Sequence, residues 1–246
     1  MKPGKRPRQQ QPAPRAPAQP ALEIGVLVRG RAFAVVYKPA GLAVEADGAQ
    51  SLVKLLARQL APPGGRAFPR VVHRLDTETS GCMLIALDDA ARVALEAAFE
   101  RGAVEKEYLA LVLGNPPDSG ACDTAYGPDP RDRRRFTTRI DTPRRARLSW
   151  STEEKWGPAA LLRVKLDTGR THQIRVQMSE SGYPVLGDST YGTTEALALA
   201  ARVGLARQAL HAAFLSLPDP DGGAVVACSA PVPQDLAAAL AALRRG

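Results

Sequence analysis

The sequence predicts an α+β domain with a largely antiparallel or mixed central sheet and flanking helices. Three observations carry the prediction. Short strand-like runs recur along the chain, at residues 24–28, 33–37, 71–72, 82–87, 104–112, 161–166 and 209–217. Helical windows are few and scattered among them rather than alternating regularly with strands, which argues against a doubly wound parallel sheet. No internal repeat and no Gly-rich phosphate loop interrupts the pattern.

The elements follow in order. Ile24 to Val28 and Phe33 to Tyr37 read as strands around the polar turn Arg29-Gly30-Arg31, and Lys38-Pro39-Ala40-Gly41 ends the second. Ser51 is an N-cap for a helix through Leu60, with Leu52, Leu55, Leu56 and Gln59 at helical spacing, and Pro62-Pro63-Gly64-Gly65 stops it. Asp88 or Asp89 caps a second helix over 90–101, with Val93, Ala97 and Phe99 on or near its apolar face. Residues 104–112 form a strand. The Arg-rich stretch after Gly127 has turn residues and little periodicity. Leu161 to Leu166 alternates apolar and basic side chains, as a half-buried strand does. Asp167-Thr168-Gly169 is a turn, Arg170 to Ser179 a helix, and Gly187-Asp188 the start of a loop. Helices over 195–203 and 235–244 enclose a strand at 209–217.

Length and composition bound the function. A chain of 246 residues, 45% apolar and 24% charged, suits one large or two small domains with a sizeable core. No run approaches the roughly 20 apolar residues of a membrane span, and residues 1–20 lack the apolar stretch of a secretory signal, so a cytoplasmic protein is expected. Cys82, Cys122 and Cys228 are scattered, as are His73, His172 and His211. Neither set has metal-ligand spacing, so no structural metal and no disulfide framework are expected. The net charge of +8 is concentrated. Residues 1–20 carry Lys2, Lys5, Arg6, Arg8 and Arg15 with no acid. Between 129 and 147, eight Arg (131, 133, 134, 135, 139, 144, 145 and 147) face three Asp (129, 132 and 141). Concentrated basicity is the footprint of a polyanionic partner, with a solvated, solubilising face as the plainer reading. Residues 1–21, rich in Pro, Gln and Ala and without aromatic or β-branched side chains, are expected to form a disordered basic tail before a domain over 22–246.

Three stretches concentrate chemistry. His73-Arg74-Leu75-Asp76-Thr77-Glu78-Thr79-Ser80-Gly81 is a polar loop between two strand-like runs, a common place for catalytic side chains. Asp76 alone would read as a turn residue. With Thr79, Ser80 and Gly81 fixing the turn and Arg74 free to meet a carboxylate or a phosphate, it becomes a candidate nucleophile. Arg170, His172, Gln173 and Arg175 crowd hydrogen-bonding groups into six residues; an amphipathic element with a charged face is the alternative. Tyr108, in Lys106-x-Tyr108, is either a core residue or one whose hydroxyl finds its partner in a site.

Taken together, the stretches resemble the RluA-type pseudouridine synthases. His73-Arg74-Leu75-Asp76-x-x-Thr79-Ser80-Gly81 is similar to that family's signature. Lys38-Pro39-x-Gly41-x-x-Val44, Lys106-x-Tyr108-x-Ala110-x-Val112, Thr168-Gly169-Arg170-Thr171-His172-Gln173-Ile174-Arg175, Gly182-x-Pro184-x-Leu186-Gly187-Asp188-x-x-Tyr191-Gly192 and Gln208-Ala209-Leu210-His211-Ala212 agree in order and spacing. The resemblance spans roughly residues 22–232 and implies the pseudouridine synthase fold, with an active-site cleft. It also implies isomerisation of uridine to pseudouridine in ribosomal or transfer RNA, with no metal or cofactor. By the same resemblance Asp76 is the nucleophile, Tyr108 lies against the target base as a candidate for the final proton abstraction, and Arg175 pairs with Asp76. Arg74 helps take the place of the extruded base; His73, Arg170, His172 and Gln173 are expected RNA contacts. Gln177 stands where the family often has His, and Tyr37 where Asn is frequent, which bears on substrate preference or packing. Some relatives carry an N-terminal S4-like RNA-binding domain; here only the basic tail is expected. The protein is expected to act as a monomer.

Two other readings compete. One is a catalytically silent RNA-binding or ribosome-assembly protein on the same fold. The other is a glycoside hydrolase using Asp76 and Glu78, which suits the basic bias less well.

Overall fold

The computed structural model describes residues 22–47, 50–61 and 67–245. The expected basic tail and the Pro62-Pro63-Gly64-Gly65 stop lie outside the described residues. The strands are β1 (Val26–Arg29), β2 (Phe33–Lys38), β3 (Arg70–Val71), β4 (Ser80–Ala86), β5 (Glu105–Leu113), β6 (Ser119–Ala125), β7 (Gly127–Pro128), β8 (Phe136–Thr137), β9 (Arg145–Trp156), β10 (Ala159–Leu166), β11 (Leu210–Leu217) and β12 (Val226–Ser229). The helices are α1 (Leu52–Gln59), α2 (Asp89–Glu100), α3 (Gln173–Glu180), α4 (Thr194–Arg202) and α5 (Gln234–Arg245).

Ten strands make one sheet along the path β1-β2-β4-β11-β5-β10-β9-β6, with β3 on β4 and β12 on β11. Every pairing in it is antiparallel except β4 with β11. This is the mixed sheet of an α+β fold. Strand alternation divides the core between its faces. Ala34, Val36, Met83 and Ile85 point to the side covered by Leu52, Leu55 and Leu56 of α1, Ile174 and Met178 of α3, Leu199 of α4 and Leu236 of α5. Phe33, Val35, Cys82 and Leu84 point to the other, where Ala91, Leu95 and Ala98 of α2 cover them. Ser51 and Asp88 cap α1 and α2 by accepting from the Lys54 and Ala91 N–H groups, as their sequence positions predict.

The differences from the sequence reading have local causes. The Arg-rich stretch does contain a strand: in β9, Ala146, Leu148 and Trp150 are buried while Arg145 and Arg147 are exposed. Its outer face is so basic that the period of two is masked. β6, of low apolar content, and the four-residue β12 are strands that the sequence reading does not contain. The helix expected from Arg170 begins only at Gln173, because His172 adopts a left-handed conformation (φ 57°) that helical geometry excludes. Among the described residues, no helix is long and apolar enough to cross a membrane. Nor do three or more His, Cys, Asp or Glu side chains gather as a metal site.

Candidate active site

The site forms where the two parallel strands begin, because parallel pairing brings the loops ahead of β4 and β11 to the same end of the sheet. Gly81 makes that approach possible. A Cβ there would stand 2.1 Å from the Ala212 carbonyl oxygen, and its φ of 117° is one that other residues rarely adopt. The loop before β4 is then closed by a turn in which the Thr79 N–H donates to the Asp76 carbonyl at 3.0 Å. Buried side chains hold the turn from behind. Lys38, with no exposed surface, donates through Nζ to the carbonyls of Pro39 (2.9 Å) and Thr77 (2.8 Å). Arg207 donates through Nη1 to Glu78 and Gln208 carbonyls, and pairs through Nε and Nη2 with Asp235. The Gln208 amide donates to Thr79 Oγ1 at 2.7 Å. Burial pulls the Lys38 ammonium down to about 8 against the opposing pull of Glu78 and Asp76.

Asp76 emerges from this frame with its side chain 23% exposed. Arg175 Nη1 donates to Oδ2 at 2.9 Å, and Gln208 Nε2 donates to the same oxygen at 3.4 Å. Oδ1 faces His172 Nε2 at 3.8 Å. The other edge of the Arg175 guanidinium is bidentate on the buried Asp188, at 2.6 and 2.8 Å, and its plane lies 5.1 Å from the Tyr191 ring centre. Burial disfavours the charge on Arg175, but the bonds to Asp188 and Asp76 outweigh it and raise its pKa. Asp188 also accepts from the Thr190 and Tyr191 N–H groups. Although buried, its carboxyl is held below the usual range by these donors and Arg175. One guanidinium is thus clamped between two carboxylates.

A cleft of about 1350 Å³ opens over Asp76, lined by Arg74, Lys106, Tyr108, Arg147, Arg170, His172 and Arg175 among others. That exceeds the pockets usual for drug-sized ligands and leaves room for a nucleotide with its flanking backbone. Tyr108 is buried in its wall; burial, and then the Asp76 charge, raise its phenol pKa, so it is present as the neutral hydroxyl. Arg74 is exposed at the rim. Arg170 is anchored by its Nε on the Arg145 carbonyl, and its pKa is lowered by burial and by Arg144 and Arg147. These three guanidiniums make a patch of like charge beside the cleft mouth.

The structure brings Arg175 into contact with Asp76 and places Tyr108 in the same cleft; of the expected RNA contacts, Gln173 and His73 hydrogen-bond inward and His172 stands beside the carboxylate. Gln173 is buried: Oε1 accepts from the Arg170 N–H and Thr168 Oγ1, and Nε2 donates to the Arg147 carbonyl. It shapes the turn. His73 accepts the Leu84 N–H on Nε2 and packs its ring on Phe99 at 5.0 Å. Burial, with a further push from Lys106, lowers its pKa to about 3, so it is a neutral strut and not a cationic contact. His172 stands beside the carboxylate rather than at the outer RNA surface. Lys38, Asp188, Tyr191, Arg207 and Gln208 received no role from the sequence. All but Arg207 stand in the motifs quoted above, and Lys38 and Arg207 are also charges abutting apolar strands.

Comparison with known proteins agrees with this geometry. A sequence profile of the RNA pseudouridylate synthase family matches residues 32–180. An "Uncharacterized RNA pseudouridine synthase" of Chloroflexus aurantiacus is 40% identical over 204 residues, covering 81% of this chain and 63% of the relative. The "Ribosomal large subunit pseudouridine synthase D" of Nitrosomonas europaea is 36% identical over 229 residues, covering 91% of this chain and 66% of the relative. The chain thus spans just under two thirds of the length of these two relatives. The solved human "RNA Pseudouridylate Synthase Domain Containing 1" superposes with a TM-score of 0.68 at 27% identity, over 93% of this chain and 98% of that one. The human "Domain Containing 4" protein gives 0.72 at 24% identity, over 89% and 93%, and speaks for the fold alone. Profile, relatives and clamped carboxylate agree: this chain belongs to the RNA pseudouridylate synthase family.

Proposed function

We propose that the protein isomerises uridines to pseudouridine in structured RNA, ribosomal RNA before transfer RNA, with Asp76 as the catalytic carboxylate. The observation that carries the reading is the convergence of Asp76, Tyr108 and Arg175 on one basic cleft, Arg175 reaching Asp76 across 99 residues of sequence. The names of the Nitrosomonas relative and of a Xylella fastidiosa relative, also a "Ribosomal large subunit pseudouridine synthase D", support a large-subunit RNA substrate.

The chemistry breaks the C1′–N1 bond, turns the uracil and rejoins C1′ to C5. The base must leave its stack, at a cost of a few kcal/mol that is smallest in a loop. Arg74 at the rim and the Arg144, Arg147 and Arg170 patch offset that cost through phosphate contacts. Of the two Asp76 oxygens, Oδ2 is engaged by Arg175 and Gln208, which leaves Oδ1 as the oxygen that meets the sugar. Tyr108 packs against the base as a neutral phenol. Its raised pKa means that, if it takes the C5 proton, it does so only after losing its own. All these residues come from one chain, so a monomer suffices, and an RNA of this kind places its work in the cytoplasm.

Purified protein incubated with a transcript of large-subunit ribosomal RNA should yield pseudouridine on nucleoside chromatography. Asp76→Asn should cut the rate at least 10³-fold, as loss of a nucleophile does, and leave RNA affinity within a few-fold. Binding without product by the native chain would favour the catalytically silent RNA-binding reading, and normal turnover by Asp76→Asn would remove the nucleophile assignment.

A further inference from the structure

His172 is held in a conformation that costs stability. It is the one described non-glycine residue with positive φ (57°), it heads α3, and its side chain makes no capping bond. Residues kept in such a conformation persist where the surroundings over-determine them, commonly at sites of function. Here the surroundings are aromatic. The imidazole meets Phe136 edge-on at 5.9 Å and Tyr191 at 5.6 Å between ring centres.

The hydrogen bonds fix its tautomer. The Phe136 N–H donates to the Tyr191 hydroxyl at 3.0 Å, and that hydroxyl lies 2.9 Å from His172 Nδ1. Nδ1 is the one acceptor that the described residues offer the hydroxyl's own proton, so the hydroxyl is assigned as the donor to Nδ1. That assignment puts the ring proton on Nε2. Burial lowers the His172 pKa although Asp76 raises it, so the ring is neutral. Nε2 stands 3.8 Å from Asp76 Oδ1, too far for a hydrogen bond. A donor thus lies in the cleft wall beside the reacting carboxylate, with no hydrogen-bond acceptor among the described residues.

We infer that His172 is a further catalytic residue, whose Nε2–H donates to a carbonyl oxygen of the target uracil while the base is detached from the sugar. This rests on the pseudouridine synthase reading. When C1′–N1 breaks, the electron pair leaves with the base and spreads over N1, O2 and O4. Asp76 Oδ1 bonds C1′ as N1 leaves and is displaced when C5 attacks; the C5 proton is then lost and N1 gains one, so no proton leaves His172. A C1′ brought to about 3 Å from Oδ1 puts O2, three bonds away, within reach of Nε2.

The symmetry of uracil gives the donor a second use. Turning the ring by half a revolution about its N3–C6 axis exchanges N1 with C5 and O2 with O4. The same fixed N–H that holds O2 before the turn holds O4 after it. One donor serves both ends of the rearrangement, and no protein group has to move with the base.

The test compares native protein with His172→Asn and His172→Gln on transcripts of large-subunit ribosomal RNA made with uridine or with 2-thiouridine, whose sulfur is a poor acceptor. Asn tolerates the left-handed conformation but is too short to reach, so the thermal midpoint should hold while kcat falls on the order of 10²-fold, as when one oxyanion donor is removed. The longer Gln should recover part of the loss. Sulfur should slow the native protein and add nothing further to His172→Asn. Retention of kcat within about 3-fold by His172→Asn, or equal slowing of native and variant by sulfur, would overturn the inference. If the Asn variant fails to fold, native protein against His172→Gln decides by the same sulfur comparison. Absence of product from native protein on the uridine transcript would instead overturn the function itself, and this inference with it.

Discussion

Two arginine-rich regions of this molecule use the same side chain in opposite ways. Around the catalytic loop, Arg175 and Arg207 are buried, and their donors are committed to carboxylates and backbone carbonyls. Between Pro128 and Arg147 the guanidiniums of Arg131, Arg133, Arg139 and Arg144 stand in solvent. A buried cation is costly unless paired, and once paired it fixes the groups around it. An exposed one contributes little to stability but adds to a long-range field that draws a polyanion. The first region holds a carboxylate still; the second, under the proposed function, would bring RNA to it. They are joined mechanically, since Glu180 of α3 accepts from Thr137 Oγ1 and from the Thr138 N–H, and the Phe136 N–H rests on Tyr191.

The sharpest way to break this contrast is Arg207→Ala. It leaves the Glu78 and Gln208 carbonyls without their donor and Asp235 without its partner, and should cost about 3 kcal/mol. Denaturant unfolding should read this as a lower midpoint with an unchanged slope. Pseudouridine formation should fall with it, because the turn that aims Asp76 loses its support.

Lys38 sharpens the contrast through pH. Its folded pKa, about 8, lies below the ordinary 10.5, so the charge opposes folding. The penalty is full below pH 8 and vanishes as pH rises through the unfolded pKa. Stability of the native protein should therefore gain on that of Lys38→Met between about pH 8 and 10.5, by on the order of 3 kcal/mol. A difference that stays flat, or falls, across this window would mean that Lys38 is not buried as a cation.

The smallest effect on stability belongs to the exposed region. Arg133→Ala with Arg139→Ala should leave unfolding within about 0.5 kcal/mol of native. In RNA titrations, the slope of log affinity against log salt should flatten by roughly 0.7–0.9 for each phosphate that the segment no longer neutralises. An unchanged slope would exclude this segment from the RNA interface.

The sequence made the frame of the fold readable where periodicity and caps were strong. Ser51 and Asp88 mark their helices, and the apolar runs of β2, β4, β5 and β11 stand where the sequence puts them. It was misleading where side-chain chemistry and side-chain position disagree. β9 hides a period of two behind its arginines. Gln173 and His73 look like ligand-binding groups in a linear string, yet they hydrogen-bond inward. Asp76 and Arg175 were legible through their motifs. Asp188 stands in a motif without a role and Arg207 in none, because their meaning depends on partners 13 and 28 residues away that only folding brings to them.

The single parallel seam between β4 and β11 bears on when the site can exist. Ser80 and His211, bonded across it, are 131 residues apart, and Gln208 reaches back 132 residues to Asp76. Contacts of such separation are made late, since loop closure must be paid for before they return anything. During synthesis the catalytic loop emerges long before the strand and helix that brace it. A nascent chain therefore carries the whole RNA-attracting arginine segment while its carboxylate is still unaimed, and competence to react arrives only with residues 207–235.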